Sequence, residues 1–170
     1  MAAILETDRL MLRNIEPDDA AFMLDLVNQP TYHKYIGDKG VRTITDAKNF
    51  INNVVSKSYV ENGFGHYVIE LKGEAKIPIG TCGFVNRASL DDPDVGFALL
   101  PQYEKKGYAF EAADAVMKYG REQLGMKRIA AITTQDNEAS IKLLGRLGLK
   151  FERLIEMPTG EVLNLFIADA

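Results

Sequence analysis

The segment that most constrains the fold of this chain is a strand–helix–strand unit between Val95 and Thr134. The apolar run from Val95 to Leu100 predicts a buried strand, and the stretch after Gly107 has the apolar spacing of a helix. Residues 128–134 form a second short apolar strand. Two strands joined through a helix lie parallel in one sheet, with a right-handed crossover. The unit therefore predicts a central pair of parallel strands.

The other strands of the chain are predicted to pair as hairpins. Residues 67–71 alternate in polarity and 78–85 follow after a polar turn, while 149–157 and 162–168 form a closing pair. The sequence thus predicts an α+β fold. We expect a mixed, mostly antiparallel seven-stranded sheet with a central parallel strand pair and helices on both faces. Because no linker or repeat interrupts the chain, a single domain is expected over 1–170.

The amino-terminal part is predicted as a short strand over 10–13 followed by two helices. The first helix begins at Pro17, with acidic residues in its first turn, and stops at Pro30. The second opens at Thr45. The segment 31–42 between them is rich in aromatic residues and has no regular pattern.

Composition excludes several classes of function. The net charge of −4 argues against a broad nucleic-acid surface. The single cysteine, Cys82, excludes an internal disulfide and a cysteine-based metal cluster, and the two histidines, His33 and His66, are too far apart in sequence for an obvious zinc site. No basic leader and no apolar run of membrane-spanning length is present. We expect a cytoplasmic protein without metal, nucleic-acid partner or membrane contact.

The turn between the first parallel strand and its helix is a candidate anion site. Lys105, Lys106 and Gly107 stand directly before the helix, where backbone N–H groups have no partner and the helix dipole is positive. Such a site can hold a phosphorylated cofactor. The alternative is a loop with one required glycine and two solvated lysines. The glycines of a Walker loop or of a dinucleotide fingerprint are missing, which disfavours a nucleotide-phosphate enzyme.

A second candidate binding residue follows the other parallel strand. Asn137 stands at the start of a predicted helix, where its side chain can cap the helix. Both helix starts open at the same edge of the sheet, because each follows the carboxyl end of one of two parallel strands. Ligands bind to α/β sheets at such edges.

Several motifs together resemble the GNAT superfamily of acetyl-CoA-dependent N-acetyltransferases. They are DVGFALLP at 94–101, KGYAFEA at 106–112, and NEAS at 137–140 with LGL at 147–149. The opening ETDRLMLR at 6–13 is similar to the branch that contains the ribosomal-protein N-terminal acetyltransferases. The resemblance runs from about Glu6 to the end of the chain.

The resemblance implies that acetyl-CoA is the cosubstrate and lies where strands 94–100 and 128–134 splay apart. The pantetheine arm would pair with backbone groups at the end of the first strand, the pyrophosphate would rest on the amides of the turn, and Asn137 would reach the arm. No metal is implied. The implied cofactor-binding residues are Leu99, Leu100, Lys105, Lys106, Gly107, Tyr108, Ala109, Phe110 and Asn137.

The implied reaction needs a base and an acid. A lysine-like amine has a pKa of about 10.4, so a base must remove its proton before it can attack. Asp94 stands where relatives carry an acidic residue, although it could equally be a turn aspartate beside Asp91 and Asp92. Many family members have a tyrosine acid where this chain has Leu144, which leaves Ser140 as the candidate proton donor.

The cofactor turn departs from the family pattern at one position. Glu104 replaces the usual Gln or Arg, and a carboxylate there would repel a pyrophosphate. We expect Glu104 to point away from the turn, since the backbone amides do most of the binding.

Two functions from different classes follow. The first is an N-acetyltransferase that acts on a primary amine of a small molecule or of a protein N-terminus, as a monomer or homodimer. The alternative is a non-catalytic module that binds CoA or acyl-CoA, which the Glu104 and Leu144 departures keep open.

Overall fold

The protein is built on one mixed sheet, described here from a computed structural model that covers residues 3–169. Eight strands lie in the order β1-β2-β3-β4-β5-β6-β8-β7. The strands are β1 Leu5–Glu6, β2 Leu10–Asn14, β3 His66–Leu71, β4 Pro78–Val85, β5 Asp94–Leu99, β6 Arg128–Thr133, β7 Lys150–Glu156 and β8 Val162–Asp169.

Six α-helices connect the strands, with short 3-10 and π segments at some of their ends. The α-helices are α1 Ala20–Val27, α2 Pro30–Tyr35, α3 Ile44–Phe50, α4 Ser56–Asn62, α5 Tyr108–Glu122 and α6 Glu138–Arg146. The 3-10 turns are Pro17–Asp19 and Pro101–Tyr103, and the π segment is Ile51–Val55. None of the helices within residues 3–169 has the length and apolar composition of a membrane span.

The predicted α+β class is confirmed, with one more strand than the seven expected. All neighbouring strands are antiparallel except β5 and β6. The additional strand is β1, whose two residues pair with Leu12 and Met11 of β2. A strand of two residues is too short to leave an alternating pattern in the sequence.

Both faces of the sheet are covered by helices. On β3, Tyr67 and Ile69 belong to the core cluster that contains the apolar side of α5, and Val68 belongs to the cluster formed with α1 and α3. Successive residues of a strand point to opposite faces, so this split is what an internal strand between two layers requires. The apolar face predicted for α5 is buried at Ala112, Ala113, Val116, Met117 and Gly120.

The parallel pair is joined at one end only. Asp94 pairs with Ala130, and the Ala130 amide donates to the Pro93 carbonyl at 2.9 Å. No later position of β5 pairs with β6, and both strands lie wholly inside the described range. On their outer sides, β5 pairs with β4 and β6 with β8 at six positions each. The two strands therefore part after Asp94 and leave a gap that opens toward their carboxyl ends.

The amino-terminal helices differ from expectation in detail. Pro30 stops α1 as predicted but also begins α2 as its first residue, because a proline fits the first turn of a helix. The second predicted helix starts at Ile44, where Thr43 and Asp46 form a capping box. It continues through the π segment and ends before Gly63, which has a left-handed backbone.

A buried ionic cluster ties the first strands to the turn that leads into α1. Arg13 Nη2 donates to Asp19 Oδ1 at 2.8 Å, and its Nε donates to Glu70 Oε2 at 3.1 Å. All three residues are 8% exposed. Burial alone would raise the pKa of Asp19, but the hydrogen bonds from Arg13 and from the Glu16 amide lower it overall. The hydrogen bond to Asp19 and the nearby carboxylates raise the pKa of Arg13 despite its burial.

We expect Asp19→Asn to lower the free energy of unfolding by about 3–5 kcal/mol, because it leaves the buried Arg13 guanidinium without its main partner. The measurement is urea unfolding at neutral pH. Asp18→Asn is the matched control: Asp18 is exposed in the same turn, so its replacement should change stability by less than about 0.5 kcal/mol.

The same variants test the pH dependence of stability. A carboxyl with a lowered pKa stabilises the fold above the pKa it has in the unfolded chain, and that contribution is lost as pH falls through the lowered value. Part of the acid sensitivity of the wild type should therefore be absent from Asp19→Asn. Equal loss of stability in both Asn variants would contradict the role of the cluster.

Candidate active site

A cavity of about 390 Å³ lies where β5 and β6 diverge. Its walls come from the α2 region, from β3 and β4 with the loop after β4, from β5 and β6 with the first turns of α6, and from the segment between β7 and β8 with the start of β8. Lining residues include Asp94 to Ala98 of β5, Ala131 to Thr133 of β6, and Thr134 directly after β6. The cavity therefore exists because β5 and β6 do not pair beyond Asp94 and Ala130.

A second groove of about 280 Å³ lies over β6, β7 and β8. Its principal charged residue, Arg128, is already paired with Asp92 at 3.2 Å and with Asp169 at 3.0 Å. These ion pairs occupy the guanidinium of Arg128, and the predicted site residues all lie elsewhere.

Asp94 stands at the point where the two strands separate. It is 3% exposed, lines the cavity, and accepts a hydrogen bond from Arg87 Nε at 3.0 Å. Burial raises the pKa of Asp94, while the charge and hydrogen bond of Arg87 and, more weakly, the charge of Lys39 oppose the rise. The net increase makes this carboxylate a stronger proton acceptor than an ordinary surface aspartate.

Asn137, Ser140 and Leu144 form the α6 side of the cavity. Asn137 caps the helix as predicted, since its Oδ1 accepts from the Ser140 amide at 3.3 Å. Leu144 is 1% exposed and offers no polar atom. Nearby, the buried Thr134 hydroxyl has no hydrogen-bond partner within residues 3–169 and stands at the cavity wall. The α6 wall thus offers hydroxyl and amide groups but no tyrosine acid.

His66 is a site residue that the sequence pattern did not single out. It lines the cavity opposite Gly96 of β5. A Cβ atom at position 96 would lie only 3.3 Å from His66 Cε1, so glycine there makes room for the ring. Burial, followed by the charges of Lys39 and Arg87, lowers the pKa of His66 to about 4. The imidazole is therefore neutral at physiological pH.

The predicted anion turn has the backbone geometry of a cradle. Lys105 has φ 62° and Gly107 has φ 84°. The first helix amide with a backbone hydrogen bond is that of Glu111, which donates to the Gly107 carbonyl. The amides of 105–110 have no acceptor among residues 3–169. Glu104 is exposed, and its own amide is bonded to Pro101. Consecutive unpaired amides at a helix start form an anion-binding concavity.

Arg9 holds this turn from the β1–β2 side. Its Nη1 donates to the Lys106 carbonyl at 3.0 Å, and its guanidinium lies 4.4 Å from the ring centroid of Tyr108. Glu111 fixes Arg9 in turn, through a 2.7 Å bond to Nε and a bond to the Arg9 amide. Sequence reasoning included Arg9 only in the opening motif and missed its contact with the turn, because its partners lie about a hundred positions further along the chain.

The backbone of β5 offers unpaired groups on the side of the gap. The Leu100 amide donates to the Ile79 carbonyl of β4 at 2.8 Å, so it faces away from β6. Because backbone groups alternate along a strand, those of Phe97 and Leu99 face the gap. Of the two residues predicted to pair with an extended ligand, Leu99 is therefore the better placed.

This combination defines a class of protein: a mixed sheet with a split parallel pair, an amide cradle at one end of the first split strand and a buried carboxylate at the other. A family model described as "Acetyltransferase (GNAT) domain" matches residues 9–150. The chain belongs to the GNAT acetyltransferase family, and the predicted enzyme class, an acyltransferase, is confirmed.

Individual relatives agree with this assignment. The uncharacterized N-acetyltransferase YoaA of Bacillus subtilis (strain 168) is 32% identical over 156 residues, which are 91% of this chain and 87% of that protein. A ribosomal-protein-S5-alanine acetyltransferase from Vibrio fischeri superposes with a TM-score of 0.79 at 19% identity, over 99% of this chain and 97% of its own. That structure shares the fold of this chain.

A third comparison shows the fold with ligands bound. The microcin C7 self-immunity acetyltransferase MccE, solved in complex with acetyl-CoA and AMP, has a TM-score of 0.78 at 20% identity, over 96% of this chain and 94% of its own. MccE thus holds acetyl-CoA on the same fold.

We expect the imidazole of His66 to titrate with a midpoint near pH 4 in an NMR titration of the folded protein. In the unfolded chain the pKa is about 6.5, so the unfolded state takes up a proton first. The free energy of unfolding should accordingly fall as pH decreases from about 6.5 to about 4.

Two variants sharpen this measurement. His33→Gln removes the other histidine of the chain and leaves the signals of His66 alone. Lys39→Met removes one of the charges that lower the pKa of His66 and should raise the midpoint. A midpoint at or above 6.5 in the wild type would contradict the described environment of the ring.

Proposed function

We propose that this protein transfers the acetyl group of acetyl-CoA to a primary amine. The observation that carries the proposal is that one strand, β5, joins both halves of such a site. Asp94 begins the strand, and the unpaired amides of 105–110 follow its end. The strand itself spans about 17 Å at the usual rise per residue, a separation suited to an extended cofactor arm between a phosphate cradle and a reaction centre.

The residues of the cleft fit the parts of acetyl-CoA. Amides 105–110, with Lys105 and Lys106, suit the pyrophosphate. The backbone of Phe97 and Leu99 suits the amides of the pantetheine arm, as an added strand would. Asn137 and the unpartnered Thr134 hydroxyl offer further polar contacts on the opposite wall. Tyr108, Ala109 and Phe110 complete the proposed cofactor site at the start of α5.

The proposed chemistry begins with a proton transfer. The acceptor enters as an ammonium ion, and Asp94 takes one proton from it, directly or through water. The neutral amine attacks the thioester carbonyl, the carbon–nitrogen bond forms and the carbon–sulfur bond breaks as the thiolate leaves with its electron pair. The nitrogen then loses its second proton, which reaches the thiolate directly or through Ser140, the proposed proton donor on the α6 wall: Ser140 donates its hydroxyl proton to the sulfur and regains one from the nitrogen. A thiol pKa of about 8.5 also lets the thiolate leave without an acid.

The acceptor in this proposal is a primary amine of a small molecule or of a protein N-terminus. The buried Asp94 carboxylate supports an amine acceptor, because it supplies the opposite charge at the reaction centre. We place the activity in the cytoplasm, with a monomer or a homodimer as the working unit.

We expect acetyl-CoA to raise the melting temperature of the protein, because a ligand that binds only the folded state stabilises it by mass action. ATP and NAD should give no comparable shift. With a mixed panel of primary amines, the protein should release free CoA thiol, which a thiol reagent detects. Stabilisation without thiol release across the panel would favour the CoA-binding module instead, and no shift with any CoA species would reject both functions.

Arg9→Met tests the cradle in the same assay. The lost hydrogen bond and cation–π contact are together worth about 1–2 kcal/mol. In the variant, part of the binding free energy of acetyl-CoA is used to order the turn, so acetyl-CoA should bind about 5- to 30-fold more weakly. Arg121→Met, in the last turn of the same helix, is the control and should bind acetyl-CoA like the wild type.

We expect Asp94→Asn to reduce the rate of thiol release by about 10²–10⁴-fold, the usual contribution of a general base. Acetyl-CoA affinity should stay within about twofold, since the cradle is untouched. In the wild type, activity should fall as pH decreases through the raised pKa of Asp94, because the protonated carboxyl cannot accept a proton. A variant that retained full activity with the same pH profile would eliminate Asp94 as the base.

A further inference from the structure

We infer that the acceptor carries an anionic group, a carboxylate or a phosphate, a short distance from the amine that is acetylated. The inference rests on the proposed function and narrows its acceptor to small aminocarboxylates or amino-phosphates. It follows from the charges that face the reaction centre.

The amine-binding end of the cavity presents two cations against one buried carboxylate. Lys39 and Arg87 line it together with Asp94 and the neutral ring of His66. Arg87 is paired with Asp94, whereas no carboxylate lies within 4.0 Å of the Lys39 ammonium among residues 3–169. Glu161, the other acidic residue of the lining, is exposed and forms no ion pair with Lys39. Lys39 therefore has no carboxylate in contact with its ammonium, and Asp94 acts on it only at longer range while being paired with Arg87.

Asp38, the acidic neighbour of Lys39 in the same loop, is held by other partners and does not neutralise the Lys39 ammonium. Asp38 accepts from the Gly40 amide at 2.8 Å and pairs with Arg42. These bonds occupy the Asp38 carboxylate on the other side of the loop. Much of the Lys39 side chain is exposed, yet desolvation by the cavity wall, with the charge of Arg87, lowers the pKa of its ammonium. The loop thus presents a partly desolvated cation to the cavity.

This charge pattern selects among amines. A simple alkylammonium or a polyamine would be attracted by Asp94 but repelled by Lys39 and Arg87. An acceptor that also carries an anion can place its ammonium near Asp94 and its negative group against Lys39 in a charge-assisted contact. In a protein N-terminus, the carboxyl group next to the amine is part of a neutral peptide bond. Such an acceptor therefore lacks the negative charge that would match Lys39.

The test uses acceptors that differ in one group. Thiol release is measured with β-alanine, its amide, 2-aminoethylphosphonate and 1,3-diaminopropane, and with the shorter glycine, glycinamide, aminomethylphosphonate and ethylenediamine. At one chain length, the anionic amines should exceed the amide in kcat/KM by about tenfold or more, with the diamine lowest. The ratio of carboxylate to phosphonate rates identifies which anion the site takes.

Lys39→Met assigns the selectivity to this lysine. The KM for the anionic acceptor should rise about tenfold, with little change in kcat or in the KM for acetyl-CoA, and the diamine should improve. Lys34→Met is the matched control: Lys34 is an exposed lysine of the adjacent helix α2 that stays outside the cavity lining, and the selectivity should be unchanged.

Each remaining outcome overturns a defined claim. Thiol release that is equal or faster with the amide or the diamine overturns the anionic acceptor and leaves the acetyltransferase proposal standing. The same holds if Lys39→Met leaves the acid-to-amide ratio unchanged. No thiol release with any amine overturns both.

Discussion

The loss of pairing between β5 and β6 after Asp94 and Ala130 is the constraint on which the site depends. Each strand is fixed on its outer side by a neighbour, so the gap between them is held open by the rest of the sheet. The gap exposes unpaired backbone groups, admits the cavity, and sets the starts of α5 and α6 at one sheet edge. A fully paired parallel sheet would bury all of these groups and leave no room for a ligand.

A second constraint comes from the other end of the chain. Arg9 joins the turn between β1 and β2 to the Lys106 carbonyl, and Glu111 locks Arg9 in place. The anion cradle is therefore shaped by the left-handed backbone at Lys105 and Gly107 and stabilised by the side chains of Arg9 and Glu111. The turn keeps its shape with Glu104 at its start because Arg9 and Glu111 hold it through the Lys106 carbonyl, while Glu104 remains exposed.

The parts of the structure that the sequence predicted are those set by local patterns. The parallel pair, the buried face of α5 and the Asn137 cap follow from apolar spacing and capping chemistry, which act over a few residues. Arg9, His66 and Lys39 could not be placed in this way. Each is positioned by partners distant in sequence, and only the folded sheet brings them to the cradle or the cavity. The roles of Asp94 and Ser140 remain proposals that the geometry supports.

The charges around Asp94 couple acceptor binding to base strength in the proposed reaction. Burial raises the pKa of this carboxyl, and the positive charges of Arg87 and Lys39 hold the rise back. Every acceptor brings an ammonium ion that lowers the pKa of Asp94, but an acceptor that also brings an anion to Lys39 offsets one of the positive charges, so the pKa of Asp94 stays higher than with a purely cationic acceptor. The carboxylate is then a stronger base at the moment when an ammonium proton must be removed. A purely cationic acceptor would lower the pKa of Asp94 further and weaken the base that it needs.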